Sequence, residues 1–256
     1  MNVKSVTSPD NPLLRRVRKL VSTPTSYREF RQVWIEGEHL GQACMAHAMN
    51  VEAAVISESS WAQSAMQGWL HPVQSVVVVP DALFARVSAL PSPGGVGLVM
   101  ELPSAVSVSA TAPTVVLDRL QDAGNVGSIL RSAAALGVAQ VLALPGTAGL
   151  WSPKVLRAGM GAQFGLRLIE AADLDMVRAL QLPMIATSSH AVHAVWDAQW
   201  STPCNWAFGH EGQGLGAELE ALCSLTVRIP QPGGQESLNV AAAAAICLYE
   251  GMRRAR

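Results

Sequence analysis

Three short stretches in the second half of this 256-residue chain carry residue types that can do chemistry. The first runs Leu117-Asp-Arg-Leu-Gln-Asp-Ala-Gly-Asn-Val-Gly-Ser-Ile-Leu-Arg131. It reads as a strand end, a polar loop and a helix that opens near Asn125, with Arg131 on the second turn. Asn125 can serve as a plain helix cap and Arg131 as a solvated charge; a guanidinium beside a strand end can also grip a phosphate through two parallel bonds. The second stretch, Phe208-Gly-His-Glu-Gly-Gln-Gly-Leu-Gly216, crowds glycines into a strand-to-helix turn where bare backbone can approach a ligand. Gly212-x-Gly214-x-x-Ala217, with Glu236 about twenty residues on, fits a dinucleotide-binding fingerprint. Such a fingerprint opens its domain, and only about forty residues follow Gly212, too few for the strand units it needs. The third stretch, Ile229-Pro-Gln-Pro-Gly-Gly-Gln-Glu-Ser-Leu-Asn-Val240, leads from a strand through a Pro/Gly loop into an alanine-rich helix capped by Ser237 or Asn239.

These stretches need a scaffold that brings strand ends together. Strand patterns at 114–117, 140–144, 183–187, 206–209 and 226–229 alternate with helical patterns at 126–136, 153–159, 174–180, 217–222 and 240–252. Strands alternating with helices imply a mostly parallel sheet covered on both faces, with ligands taken at the carboxyl ends of the strands. The uncharged, proline-bracketed run Pro103–Pro113 reads as a linker. Before it, helices near 11–22 and 37–49 alternate with apolar runs at 53–56 and 76–79, and Gly94–Met100 turns into a last strand. The expected fold class is therefore α/β in both halves, with residues 1–102, a linker at 103–113 and a second domain at 114–256.

In order and spacing, the three stretches resemble the signature motifs of the SpoU (TrmH) family of RNA 2′-O-ribose methyltransferases. Asn125, Gly127 and Arg131 match the first motif, and Gly209, Glu211, Gly212, Gly214 and Leu215 the second. Ile229, Pro230, Ser237, Leu238, Asn239, Val240 and Ala241 match the third, where Gln231 and Pro232 replace the more usual Met and small residue. The resemblance implies S-adenosylmethionine as methyl donor, held by Gly209, Ile229 and Leu238 with Thr187 and Ser188 bordering the adenosine. It implies catalysis by Arg131, oriented with the ribose by Asn125, Glu211, Ser237 and Asn239, with Glu211 as ion partner of Arg131. It also implies a trefoil-knotted (SPOUT-type) catalytic domain, a homodimer and a preceding L30e-like RNA-binding domain, whose recognisable pieces here are Glu36–Leu40 and Gly95–Val99. Ribosomal RNA is the expected substrate; transfer RNA, and a non-catalytic RNA-binding module of the same fold, are the alternatives.

Charge is unevenly spread along a chain of net charge −1. Residues 1–31 carry seven cations, among them Arg15, Arg16, Arg18, Lys19, Arg28 and Arg31, against Asp10 and Glu29. That cluster is expected to track RNA phosphates. Half the residues are hydrophobic and 14% are charged, which excludes a disordered chain. There is no membrane-spanning run and no apolar leader, and the four cysteines show no C-x-x-C pair. A cytoplasmic protein with buried, reduced thiols is expected. His190 and His193 lack a third ligand at metal spacing, so no metal site is expected. Trp196, Trp200 and Trp206 are expected to pack in the core or an interface, and Glu218 and Glu220 to lie on a solvated helix face.

Overall fold

The computed structural model describes residues 1–233 and 237–255. Contacts divide the chain into two units, one of Met1–Ser104 with Trp151–Leu156, the other of Ala105–Leu150 with Arg157–Arg256. The first unit contains β1 (Asn2–Ser5), α1 (Pro12–Ser22), α2 (Ser26–Phe30), β2 (Gln32–Glu36), α3 (Glu38–Ala46), β3 (Val51–Ser57), α4 (Glu58–Trp61), α5 (Ser64–Leu70), β4 (Ser75–Val79), α6 (Asp81–Val87) and β5 (Val96–Glu101). Its five strands form a mixed sheet in the order β1-β4-β3-β5-β2.

Helix α1 begins where Asn11 accepts from the Leu13 N–H at 3.0 Å and Pro12 supplies the first helical φ. Leu14, Val17 and Leu20, three residues apart, are its buried stripe. The Gly95-Val-Gly97 piece has a packing reason. Gly97 stands opposite Glu36, and a Cβ there would come within 2.1 Å of the Trp34 ring, so only glycine lets that indole lie across β5.

The chain continues with β6 (Thr114–Leu117), α7 (Ala123–Ala135), β7 (Gln140–Ala143), α8 (Pro153–Gly159, grouped with the first unit as far as Leu156), a 3₁₀ turn at Ala162–Gly165, β8 (Arg167–Glu170), α9 (Leu174–Arg178), β9 (Met184–Thr187), β10 (His193–Ala194), β11 (Asn205–Phe208), α10 (Ala217–Glu220), β12 (Leu225–Arg228) and α11 (Val240–Arg254), and all of these but the start of α8 belong to the second unit. Its seven-stranded sheet, ordered β10-β12-β9-β11-β6-β7-β8, is parallel throughout. β6, β7 and β11 are buried at every position, which is why they read as continuous apolar runs rather than alternating ones. The strand order departs from chain order twice. β11 lies between β6 and β9, and β12 lies between β9 and β10. Residues 188–192, which join β9 to β10, therefore pass across β12 from one side to the other.

The linker reading needs adjustment at its far end. The buried Gln140 amide accepts from the Ser109 N–H at 3.0 Å and donates to the Ser109 carbonyl at 2.8 Å, while Gln181 N–H donates to the Ala110 carbonyl. Residues 109–110 are thus tied into the second unit.

Candidate active site

Because all seven strands run the same way, the loops leaving β6, β9, β11 and β12 open at one edge of the sheet, and the three sequence motifs meet there. The start of α7 differs from expectation. Asp122, not Asn125, is the cap: its carboxylate accepts from the Asn125 N–H at 2.7 Å and the helix opens at Ala123. The Asn125 side chain is therefore released for tertiary contacts. Its Nδ2 donates to Glu211 Oε1 at 3.1 Å, and its Oδ1 accepts from Asn239 Nδ2 at 2.9 Å. Asn239 in turn caps α11, accepting from the N–H groups of Ala241 at 2.9 Å and Ala242 at 3.3 Å. One chain of hydrogen bonds, Glu211–Asn125–Asn239, joins all three motifs.

Arg131 stands apart from that chain. It is exposed and makes no hydrogen bond or ion pair to any described residue. The expected ion pair with Glu211 is not formed, and geometry explains it. Arg131 lies six residues beyond Asn125 on α7, about 120° around the helix at ~100° per residue, so it faces away from the amide that holds Glu211.

Beside this network a cleft of roughly 570 Å³ is lined by all five expected donor-binding residues, Thr187, Ser188, Gly209, Ile229 and Leu238, together with Glu211, Ser237 and Asn239. Asn125 and Arg131 are not in its lining. Its glycine wall is tightly folded. A Cβ on Gly209 would lie 2.3 Å from the Gly214 carbonyl carbon and 2.5 Å from Leu215 N, so Gly209 is needed first for the loop's own packing. Gly214 N–H donates to the His210 carbonyl at 2.8 Å and Gly212 N–H to His210 Nδ1 at 3.0 Å.

Two braces around the cleft were not anticipated from the sequence. Buried Asp118, directly after β6, accepts two bonds from Arg119 at 2.9 Å each and one from the Gly216 N–H at 2.7 Å. Arg119, with a left-handed φ of 57°, also donates to Gln213 Oε1 at 3.1 Å and to the Gly214 carbonyl at 3.3 Å. Burial raises the Asp118 carboxyl, but the Arg119 fork and the Gly216 N–H outweigh it and hold it below the usual carboxylate range. The second brace holds residues 191–198. Arg228 donates to the carbonyls of Ala191 at 2.7 Å and Val192 at 2.5 Å. Arg254 donates to the carbonyls of Val195 at 2.9 Å, Trp196 at 2.8 Å and Ala198, and its guanidinium stacks 3.8 Å from the Trp200 ring centre. An Asp-Arg pair at a strand end and arginines near the chain's end were the available signals, and neither has a spacing that names its partner.

The remaining expectations sort as follows. His190 lines the cleft, whereas His193 lies in β10; among the described residues no group of three or more His, Cys, Asp or Glu could hold a metal. Glu236, the acidic residue of the dinucleotide fingerprint, lies outside the described residues. Trp206 is buried, stacked on Phe208 and edge-on to Trp200, but Trp196 is 55% exposed, because its side chain sits on a turn beyond β10 rather than in the sheet. Glu218 and Glu220 are exposed as expected. Cys44, Cys204 and Cys247 are buried and Cys223 half-buried, and burial pushes the four thiols up to about 12, 11, 12 and 12 respectively. In the first unit the basic residues are largely engaged locally. Arg16 pairs with Glu52 at 2.7 Å, Arg18 donates to the Pro9 carbonyl and Arg31 to that of Pro103. Lys19 lies over the Phe30 ring and Arg28 over Tyr27, while Arg15 is exposed on α1. Among the described residues, no helix is long and apolar enough to cross a membrane.

The cleft suits S-adenosylmethionine on its own features: glycine backbone along one wall, strand ends at its floor, and in its lining a Gln231 whose Oε1 is buried without a hydrogen-bond partner among the described residues. Comparison with known proteins agrees. The chain is 31% identical, over 99% of its length and 95% of the relative's, to an uncharacterized tRNA/rRNA methyltransferase of Synechocystis. It is 30% identical, over 77% of its length and 72% of the relative's, to the 23S rRNA (uridine(2479)-2′-O)-methyltransferase of Streptomyces viridochromogenes. The crystal structure of an AdoMet-bound rRNA methyltransferase from Sinorhizobium meliloti superposes with a TM-score of 0.85 at 26% identity, covering 98% of both chains. The family model of the SpoU rRNA methylases matches residues 112–249, the span that contains all three motifs and the cleft, and the chain belongs to that family.

Proposed function

We propose that this protein transfers a methyl group from S-adenosylmethionine to a ribose 2′-hydroxyl of ribosomal RNA. One observation carries the reading: the expected donor-binding residues line a single cleft, and Glu211 and Asn239 of that cleft are both hydrogen-bonded to Asn125 on the helix bearing Arg131.

Bound in the cleft, S-adenosylmethionine supplies an electrophilic methyl group on a sulfonium. The protein must then present a ribose oxygen in line with that methyl and stabilise the charge that develops on it. A 2′-hydroxyl is a poor nucleophile at neutral pH. Arg131, which has no side-chain partner among the described residues, grips the neighbouring phosphate through its planar fork and lowers the hydroxyl's pKa by its charge. A guanidinium stays protonated and is a poor proton acceptor, so its role is electrostatic and the hydroxyl proton leaves to water. Glu211, fixed by Asn125, and Asn239, fixed by the cap of α11, orient the ribose, with Ser237 beside them in the lining.

The remaining parts of the reading follow from the same family membership. Residues 1–102 bind RNA, with Arg15 the most available cation and Arg16, Arg18, Lys19, Arg28 and Arg31 forming the surrounding basic surface. Residues 103–113 connect to the transferase at 114–256. The passage of residues 188–192 across β12 supports a trefoil-knotted chain. Exposed Ile246 (40%) and Tyr249 (54%), three residues apart on α11, support a homodimer formed through that helix. The working compartment is the cytoplasm.

Transfer of tritiated methyl from the donor to ribosomal RNA fragments tests the reading. A fragment with a single deoxyribose at the target should bind nearly normally and accept no methyl. Methyl transfer to that fragment would replace ribose methylation with base methylation.

A further inference from the structure

We propose that Gln231 reads the adenine ring of the donor with its side-chain amide, a task that main-chain groups would otherwise carry alone. The inference rests on the cleft being the S-adenosylmethionine site. Gln231 lies two residues past Ile229 in the cleft lining, and its Oε1 is shut off from solvent without a hydrogen-bond partner among the described residues. A buried carbonyl oxygen left unpaired is costly, and the cost is relieved when a ligand brings an N–H or O–H to it. The terminal torsion of glutamine is broad and roughly two-fold, so the amide can re-aim within the cleft at little expense.

The chemistry of the group narrows what it recognises. A methionyl carboxylate accepts only, and a methionyl ammonium donates only. A primary amide offers one acceptor and one donor side by side in a plane. Adenine presents the complement, an exocyclic N6–H beside a ring nitrogen, which is the edge that glutamine pairs with in two parallel bonds. The thioether of a methionine, the more usual residue at this motif position, cannot do this. The protein therefore gains discrimination for a 6-amino purine at a place where a methionine offers no such pair of bonds.

Titration calorimetry on the full chain with S-adenosylhomocysteine and S-inosylhomocysteine tests it, since the second ligand replaces the N6 donor with a carbonyl. The wild type should prefer the adenosyl ligand, and Gln231→Met should shrink that preference by about tenfold through loss of adenosyl affinity alone. Gln231→Glu keeps the acceptor and loses the donor, so it should retain an intermediate preference. An unchanged ratio of the two affinities in folded Gln231→Met overturns the proposal. A wild type that binds neither these ligands nor S-adenosylmethionine overturns the cleft reading beneath it.

Discussion

The arginines of the second unit fall into two kinds of surroundings. Arg119, Arg228 and Arg254 are engaged: between them they hold Asp118, Glu250 and seven main-chain or side-chain oxygens of the loops at 191–198 and 213–214. On α7, Arg131 has the same guanidinium and holds nothing among the described residues. Exposed on its helix, the five N–H donors of that fork are left to solvent. Glu211 sits in the neighbouring motif yet is engaged by Asn125 instead. Arg119 braces the glycine loop of the cleft, and on the reading proposed above Arg131 takes an anion that arrives with the substrate.

The sharpest way to break this contrast is to truncate both kinds. Arg131→Ala should cut methyl transfer by roughly 10²–10⁴ while donor affinity stays within a few-fold and the melting temperature is nearly unchanged, since no side-chain hydrogen bond or ion pair to a described residue is lost. Arg131→Lys keeps the charge without the fork and should recover a small part of the rate. Full activity in the alanine variant would remove Arg131 from the mechanism. A lysine variant with near-normal activity and a new pH dependence would favour proton abstraction over phosphate gripping.

Arg254→Ala should behave in the opposite way. It strips partners from Glu250 and from three carbonyls, so urea unfolding should show a loss of roughly 2–4 kcal/mol. An Arg254→Ala protein as stable as wild type would mean that the guanidinium is not structural. Arg119→Ala, which frees the glycine loop at Gln213 and Gly214, should raise the donor KM by about tenfold with kcat nearly intact, measured at saturating RNA. A fall confined to kcat would place Arg119 with Arg131 instead.

The smallest effect is a pH dependence. Hydrogen bonds from Arg253, reinforced by Arg254 against the penalty of burial, hold the Glu250 carboxyl down at about 2 from 4.5. A depressed carboxylate contributes stability that is fully present above the unfolded value and is lost as pH falls toward the folded one. The difference in unfolding free energy between wild type and Glu250→Gln should therefore shrink between pH 4.5 and 2. A difference that stays constant over that interval would show that the ion pairs do not act in the folded state.

What the sequence makes legible follows from how local each signal is. β6, β7, β9, β11 and β12 are short apolar runs bounded by polar loops, and period and punctuation locate them within a residue. β8, with the pattern Arg-Leu-Ile-Glu, and the two-residue β10 are edge strands whose pairing is decided by neighbours, so nothing local marks them. In the first unit β1 and β2 are missed for the same reason: Asn2–Ser5 is exposed at every position, and Gln32–Glu36 follows directly on a basic helix. The helix start at Asp122 is a competition between two equally good caps three residues apart, and the loser, Asn125, gains a tertiary role that spacing cannot reveal. Gly209 shows the limit of reading function into a glycine. Its missing side chain makes room for Gly214 before it makes room for any ligand.

The order in which the sheet is filled has a consequence for biosynthesis. β11 and β12 are the last two strands to leave the ribosome, and both slot between strands made earlier. Each depends on distant pairings rather than on its predecessor, a pattern that slows folding because loop closure precedes its reward. Gly209, Ile229, Leu238 and Asn239 all lie after β11, so a nascent chain stopped at residue 200 has Thr187 and Ser188 of the cleft but lacks most of its lining. If the cleft holds the donor as proposed, donor binding comes late in synthesis, after both inserted strands are in place.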